Sequence, residues 1–197
     1  MHIPVLTLLQ WITRNHFNVI GILRAKFHLN ILILIVMKDK VMYNTMQEHW
    51  HQSELVGIDA IVFSDGSMKL IDISANENQE IKNTFGKEYH FSISGTTSLN
   101  EIIEKYDNDI WSVCQINDQI TIDNLYNFVC GEGEMGNEGF IAKLDIDGKI
   151  VWSLYSTTSN PFCKLEYSNG RLRAVSTSNF AVIIDAYGDG ITIDNYL

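Results

Sequence analysis

Histidine, cysteine, proline and long apolar runs are all scarce in this chain, and each scarcity closes off a class of function. Of six histidines, only His90 lies after residue 51. General acid–base chemistry in the body would therefore fall to carboxylates, whose abundance singles out no pair. The three cysteines, Cys114, Cys130 and Cys163, show no Cys-x-x-Cys spacing. They read as small buried residues of a reduced compartment, not as a disulfide framework or a zinc site. No Gly-x-Ser-x-Gly or His-Glu-x-x-His motif occurs, so the sequence predicts no enzyme, no metal and no cofactor. With only Pro4 and Pro161, strands can run almost uninterrupted.

What is present is acid. The chain of 197 residues carries a formal net charge of −10. The imbalance lies after residue 56, where nine Lys/Arg face 21 Asp/Glu. Such a body repels nucleic acid and anionic membrane and attracts basic partners at range. A hydrophobic content of 46 % fits a folded core and excludes global disorder.

The front end differs. Leu29–Met37 is a greasy run broken only by Asn30 and preceded by Arg24, Lys26 and His28. It is shorter than the roughly 20 apolar residues that span a bilayer, and no small-residue cleavage site follows. A short membrane-surface anchor, a helix packed on the body, and translation upstream of a genuine start at Met37, Met42 or Met46 are the competing readings, of which the last is adopted. The division is then a hydrophobic extension, 1–36, and a single β-rich domain, 37–197, with the cytoplasm as its compartment.

From Gly57 onward, apolar residues alternate or run in short blocks between turn residues, the signature of strands. Ile58–Phe63 and Met68–Ile73 form a hairpin around Ser64-Asp65-Gly66-Ser67. Glu88–Ser94 is a third strand, ending at Gly95-Thr96-Thr97. Ser98 and Glu101 make a capping box that opens one short helix near 98–106. Strands at Ile110–Ile116 and Gln119–Ile122 flank an Asn117-Asp118 turn, and Asn124–Cys130 is another strand. Phe140–Leu144 pairs with Ile150–Tyr155. Phe162–Tyr167, Leu172–Ser176, Ala181–Asp185 and Ile191–Ile193 complete the set. Leu70, Trp111 and Trp152 recur at a spacing of about 41 residues, and Phe140–Asp145 returns as Phe180–Asp185, a period suited to four-stranded blades. The expected fold is mainly β: propeller-like repeated antiparallel blades or a curved β-meander.

Three motifs invite chemistry. Gly131-Glu132-Gly133-Glu134-Met135-Gly136 spells Gly-x-Gly-x-x-Gly, but strands on both sides and nearby glutamates oppose a diphosphate. Asp145-Ile146-Asp147-Gly148 and the stretch from Asp185 to Gly190 read as aspartate-stabilised turns rather than calcium loops. His49-Trp50-His51 would bind metal only if a strand put both rings on one face and a third ligand arrived. Trp111 and Trp152 are expected in the core or at contacts between repeats.

The segments Val129-Cys130-Gly131-Glu132-Gly133, Gly136-Asn137-Glu138-Gly139-Phe140-Ile141, Leu144-Asp145, Gly148, Trp152 and Ser159-Asn160-Pro161-Phe162 resemble small bacterial immunity proteins of polymorphic toxin systems, including the rearrangement-hotspot type. The Asp145 to Trp152 spacing also resembles the blade repeat of quinoprotein-like propellers. The first resemblance implies a cognate toxin as partner, and an acidic protein suits a basic toxin site. The loop bearing Glu132, Glu134 and Glu138 is the candidate contact. The alternatives are a membrane-tethered β-rich module, which requires residues 1–36 to be genuine, and a carboxylate enzyme. Unpaired strand edges further allow a homo-oligomer.

Overall fold

The structure, a computed structural model, describes residues 28–31, 33, 41, 43–81, 85–188 and 190–195. The chain divides into two compact units, Met1–Val41 and Met42–Leu197. In the first, the described residues are helical, and Leu29, Ile31 and Ile33 of the greasy run are exposed. The rest of that extension, with the proposed start at Met37, lies outside the described residues. Among the described residues, no helix is long and apolar enough to cross a membrane.

The second unit is mainly β. Helix α1 covers 43–51. It is followed by β1 (Glu54–Val56), β2 (Ala60–Phe63), β3 (Ser67–Glu77), β4 (Lys87–Ser98), α2 (Leu99–Tyr106), β5 (Trp111–Val113) and β6 (Gln115–Ile122). Strands β7 (Tyr126–Glu132), β8 (Gly139–Asp145), β9 (Ile150–Ser156), β10 (Phe162–Ser168), β11 (Arg171–Ser176), β12 (Ala181–Asp185) and β13 (Ile191–Asp194) complete it. All pairings are antiparallel: a seven-stranded sheet in the order β4-β3-β2-β9-β8-β7-β6, a four-stranded meander β10-β11-β12-β13, and the pair β1-β5. No sheet closes on itself.

Side-chain alternation explains the layering. One face of the seven-stranded sheet offers Ile61, Ile71, Ile73, Phe128, Ile141 and Leu154, which pack with Phe162, Leu172, Phe180 and Val182 of the meander and its turns. The opposite face offers Val62, Met68, Val129, Phe140, Ala142 and Tyr155, covered by Met46 of α1, Leu55 and Val56 of β1, and Leu99 and Ile102 of α2. Both faces are buried, so β8 and β9 are almost continuously apolar. Val151 is the extra residue of a bulge: Lys143 pairs with Trp152, then Leu144 with Ile150. Ile150 therefore faces the helices while Trp152 faces the meander, as an inserted residue requires.

Several local expectations hold. Ser98 accepts from the Glu101 N–H and Glu101 accepts from the Ser98 N–H, capping α2, which stops at Asp107 with φ 51°. Asp145 Oδ1 accepts the N–H groups of Asp147 and Lys149 at 2.9 and 2.8 Å, and Asp185 does the same for Tyr187 and Gly188.

Others are corrected. Asn117-Asp118 is not a turn but a bulge inside β6, because the side chains bond the meander: Asp118 Oδ2 accepts the Leu165 N–H at 2.7 Å, and Asn117 donates to the Phe162 carbonyl. Gly95-Thr96-Thr97 continues β4 instead of ending it, paired to Met68–Leu70. The single helix expected near 98–106 has company in α1. There Gln47 reaches β9 with both ends of its amide, at 2.9 and 3.0 Å from the Ile150 N–H and carbonyl groups. Of the positions spaced by 41, Leu70 lies in β3, Trp111 pairs with Val56 in the small sheet, and Trp152 sits in β9. Leu70 and Trp111 pack on the helix-side core, and Trp152 on the meander side.

Lys143 is the one buried cation among the described residues. It donates to the Ala186 carbonyl at 2.9 Å and lies 3.7 Å from the Tyr126 ring centre. Burial lowers its pKa from 10.5, opposed by Asp185. Between that lowered value and 10.5 the unfolded chain binds more protons, so stability should rise with pH relative to Lys143→Met. Urea titrations at several alkaline pH values check this; equal pH slopes would contradict it. Trp152, packed edge-on to Phe128, should cost about 3–5 kcal/mol as Trp152→Ala. Its unfolding midpoint checks that figure.

Candidate acidic contact site

The β7–β8 connection, residues 133–138, is held from below. Tyr155 of β9 is 1 % exposed. Its hydroxyl donates to Glu138 Oε2 at 2.5 Å and lies 2.8 Å from Ser112 Oγ. The same carboxylate oxygen accepts the Met135 N–H at 3.2 Å, and the Gly133 N–H bonds the Glu138 carbonyl. The Glu134 N–H donates to Ser112 Oγ at 3.4 Å. Burial, then the bond to Glu138, raises the Tyr155 pKa, so the hydroxyl stays a donor.

This geometry accounts for the glycines of the motif without a phosphate. A Cβ on Gly133 would lie 1.9 Å from the Tyr155 hydroxyl, and one on Gly131 would lie 1.9 Å from the Gln115 carbonyl oxygen. Gly136 turns the loop at φ +74°. The motif begins inside β7 and is followed by β8, so no helix N-terminus is available to an anion.

The three glutamates divide in role. Glu134 is exposed. Glu132 is half-buried at the end of β7, opposite Gln115 on one side and Gly139 on the other. Glu138 is the anchor, turned toward Tyr155. Exposed apolar side chains occur on the loop and on β5 and β6. Met135 is 74 % exposed at the loop tip, Val113 of β5 is exposed opposite Glu54, and Ile116 of β6 is exposed opposite Gly131. The sequence motif located the acids. It did not reveal Ser112, Tyr155, Val113 or Ile116, which come from three other strands.

The remaining candidates resolve as structure. His49 lies on a helix and not a strand, so His51 does not share its face. Its Nδ1 is 2.6 Å from Glu54, and its ring stacks on Trp111 at 3.6 Å. Among the described residues, no group of three His, Cys, Asp or Glu is placed to hold a metal. Cys114 and Cys130 are buried, and desolvation pushes each thiol up to about 12, which favours the protonated thiol. Cys163, expected to be buried, is exposed, because its side chain falls on the outer face of the meander.

That outer face forms an open hollow of about 970 Å³ lined by Glu166, Arg171, Arg173, Thr192 and Asp194. Arg173 bonds Glu166 at 3.1 Å and Asp194 at 3.4 Å, while Lys164 meets Glu166 at 2.6 Å. The two cations hold the Glu166 carboxyl below its usual range. The Arg173–Glu166 pair joins neighbouring strands, Lys164 meets Glu166 along β10, and Arg173 reaches Asp194 past β12, charges balanced on a solvated sheet face.

Comparison with known protein families, curated proteins and solved structures finds no match to the chain. The chemistry of its own residues therefore carries the functional argument. Tyr155→Phe should remove the anchor and leave Glu138 without its hydroxyl donor, at about 1–3 kcal/mol. Urea unfolding measures the loss, and hydrogen exchange should show faster amides across 133–138. A variant as stable as the parent with unchanged exchange would contradict the anchor.

Proposed function

We propose that this is a non-enzymatic binding protein, an immunity protein that neutralises a cognate bacterial toxin in the cytoplasm through an acidic surface. The observation that carries the reading is the loop 133–138 at the end of the central sheet, pinned by Tyr155, which displays exposed Glu134 and Met135 beyond the half-buried Glu132 that ends β7. A charged and an apolar side chain exposed together on one loop suit a protein contact. A pinned loop loses little entropy on binding. The acids would speed encounter with a basic toxin and select against other partners.

The same reading takes β6–β9 and β10–β13 as two copies of one four-stranded unit. Phe140–Asp145 and Phe180–Asp185, alike in sequence, fall at the third strand of each meander. This supports a propeller-like ancestry for the strands, joined here into stacked open sheets.

Co-expression with the toxin encoded beside the gene should restore growth and yield a stable complex. The double change Glu132→Gln and Glu134→Gln should weaken that complex about tenfold and flatten its salt dependence. Rescue with unchanged affinity would move the contact off this loop. No rescue of cells carrying an active toxin would overturn the immunity reading.

A further inference from the structure

An asparagine followed by glycine exposes its side-chain amide to attack by the next backbone nitrogen, because glycine has no side chain to hinder ring closure. The sequence contains this dipeptide once, at Asn169-Gly170, and it forms the tip of the β10–β11 hairpin. Ser168 pairs with Arg171, so the two residues are the whole turn. Their φ angles of 51° and 76° are the left-handed pair that such a turn demands. Asn169 is exposed. Its side chain has no partner, and the Gly170 N–H no acceptor, among the described residues.

Other turns withhold one or other of these groups. In Asp65-Gly66 the glycine N–H donates to the Phe63 carbonyl at 2.9 Å, and Asp65 Oδ1 accepts from Ser67. In Asp147-Gly148 the glycine N–H donates to the Asp145 carbonyl at 3.0 Å. The other left-handed asparagines, Asn108, Asn124, Asn160 and Asn179, precede Asp109, Leu125, Pro161 and Phe180. Three of these followers carry side chains that crowd the attack, and Pro161 has no N–H.

We propose that Asn169 is a self-modification site: the hairpin tip deamidates through a succinimide to aspartate and isoaspartate, adding a negative charge to the outer face of the meander. Solvent base removes the Gly170 N–H proton, and the nitrogen attacks Asn169 Cγ. The N–Cγ bond forms, the Cγ–Nδ2 bond breaks, and ammonia leaves with a proton from water. A second water opens the ring. Cleaving N–Cγ gives aspartate; cleaving the nitrogen from the main-chain carbonyl carbon of Asn169 gives isoaspartate, whose backbone runs through Cβ and Cγ. No redox partner is needed. Attack requires the Asn169 peptide to swing out of the turn, and exposed hairpin tips lie at the low-energy end of local opening. Asn169 lines the same hollow as Arg171 and Arg173, so the new carboxylate joins the arginines there. The longer isoaspartyl backbone also shifts the Gly170 carbonyl, which accepts the Ala186 N–H at 3.0 Å; the Ala186 carbonyl in turn accepts from Lys143.

The inference stands apart from the immunity reading, and its readout needs no toxin. The full chain is aged for days at several neutral and alkaline pH values, then digested briefly with trypsin. The fragment 165–171, bounded by Lys164 and Arg171, should gain about one mass unit and separate into two isomers. Its rate of formation should rise about tenfold per pH unit, as removal of the glycine proton requires. Asn169→Gln, at an exposed position, needs a six-membered ring and should slow the gain at least about tenfold. Mass gain in the excised fragment but none in the aged full chain would overturn the proposal. So would an equal rate in Asn169→Gln.

Discussion

The seven-stranded sheet must be covered on both faces, and the rest of the unit answers that requirement. Its central strands β8 and β9 carry Phe140, Ile141, Ala142, Leu154 and Tyr155, none more than 1 % exposed. Burial of this kind is worth about 1.5–3 kcal/mol per large side chain, far more than the surface ion pairs of the meander. The meander covers one face; α1, α2 and the β1-β5 pair cover the other. The bulge at Val151 lets Trp152 and Ile150 serve opposite layers. Gln47 and Lys143 place polar atoms inside those layers only because each reaches a backbone partner, as buried polar groups must.

Much of this architecture was legible where a signal is local. Turn aspartates, the Ser98–Glu101 box and short apolar blocks depend on residues within a few positions of each other, and the structure follows them. Helix α1 was missed although Met46, Gln47 and Trp50 lie at helical spacing, because its buried face uses an amide and an indole rather than an aliphatic stripe. Asn117-Asp118 looked like a turn because those residues often make one. Here their side-chain bonds run to β10, about 45 residues further on, which no local pattern encodes. The residues spaced by 41 fell on three strands, with Trp111 and Trp152 in different sheets.

The candidate site shows the same division. The run of glycines and glutamates between β7 and β8 was visible as a loop, and strands on both sides argued against a nucleotide. The reason for the glycines was not visible, since it lies in Tyr155 and Gln115. Nor could the sequence separate Glu138, which anchors, from Glu134, which faces solvent. The end of the sheet presents Glu134 and Met135 to solvent on the loop between β7 and β8.

Hydrogen exchange of the full chain, alone and mixed with the toxin partner proposed for it, bears most directly on the proposed contact. The account predicts slowed amides at residues 112–116 and 132–138 on binding, with β8 and β9 already slowest in the free protein. Slowing confined to the outer face of the meander, around Arg171 and Arg173, would contradict it.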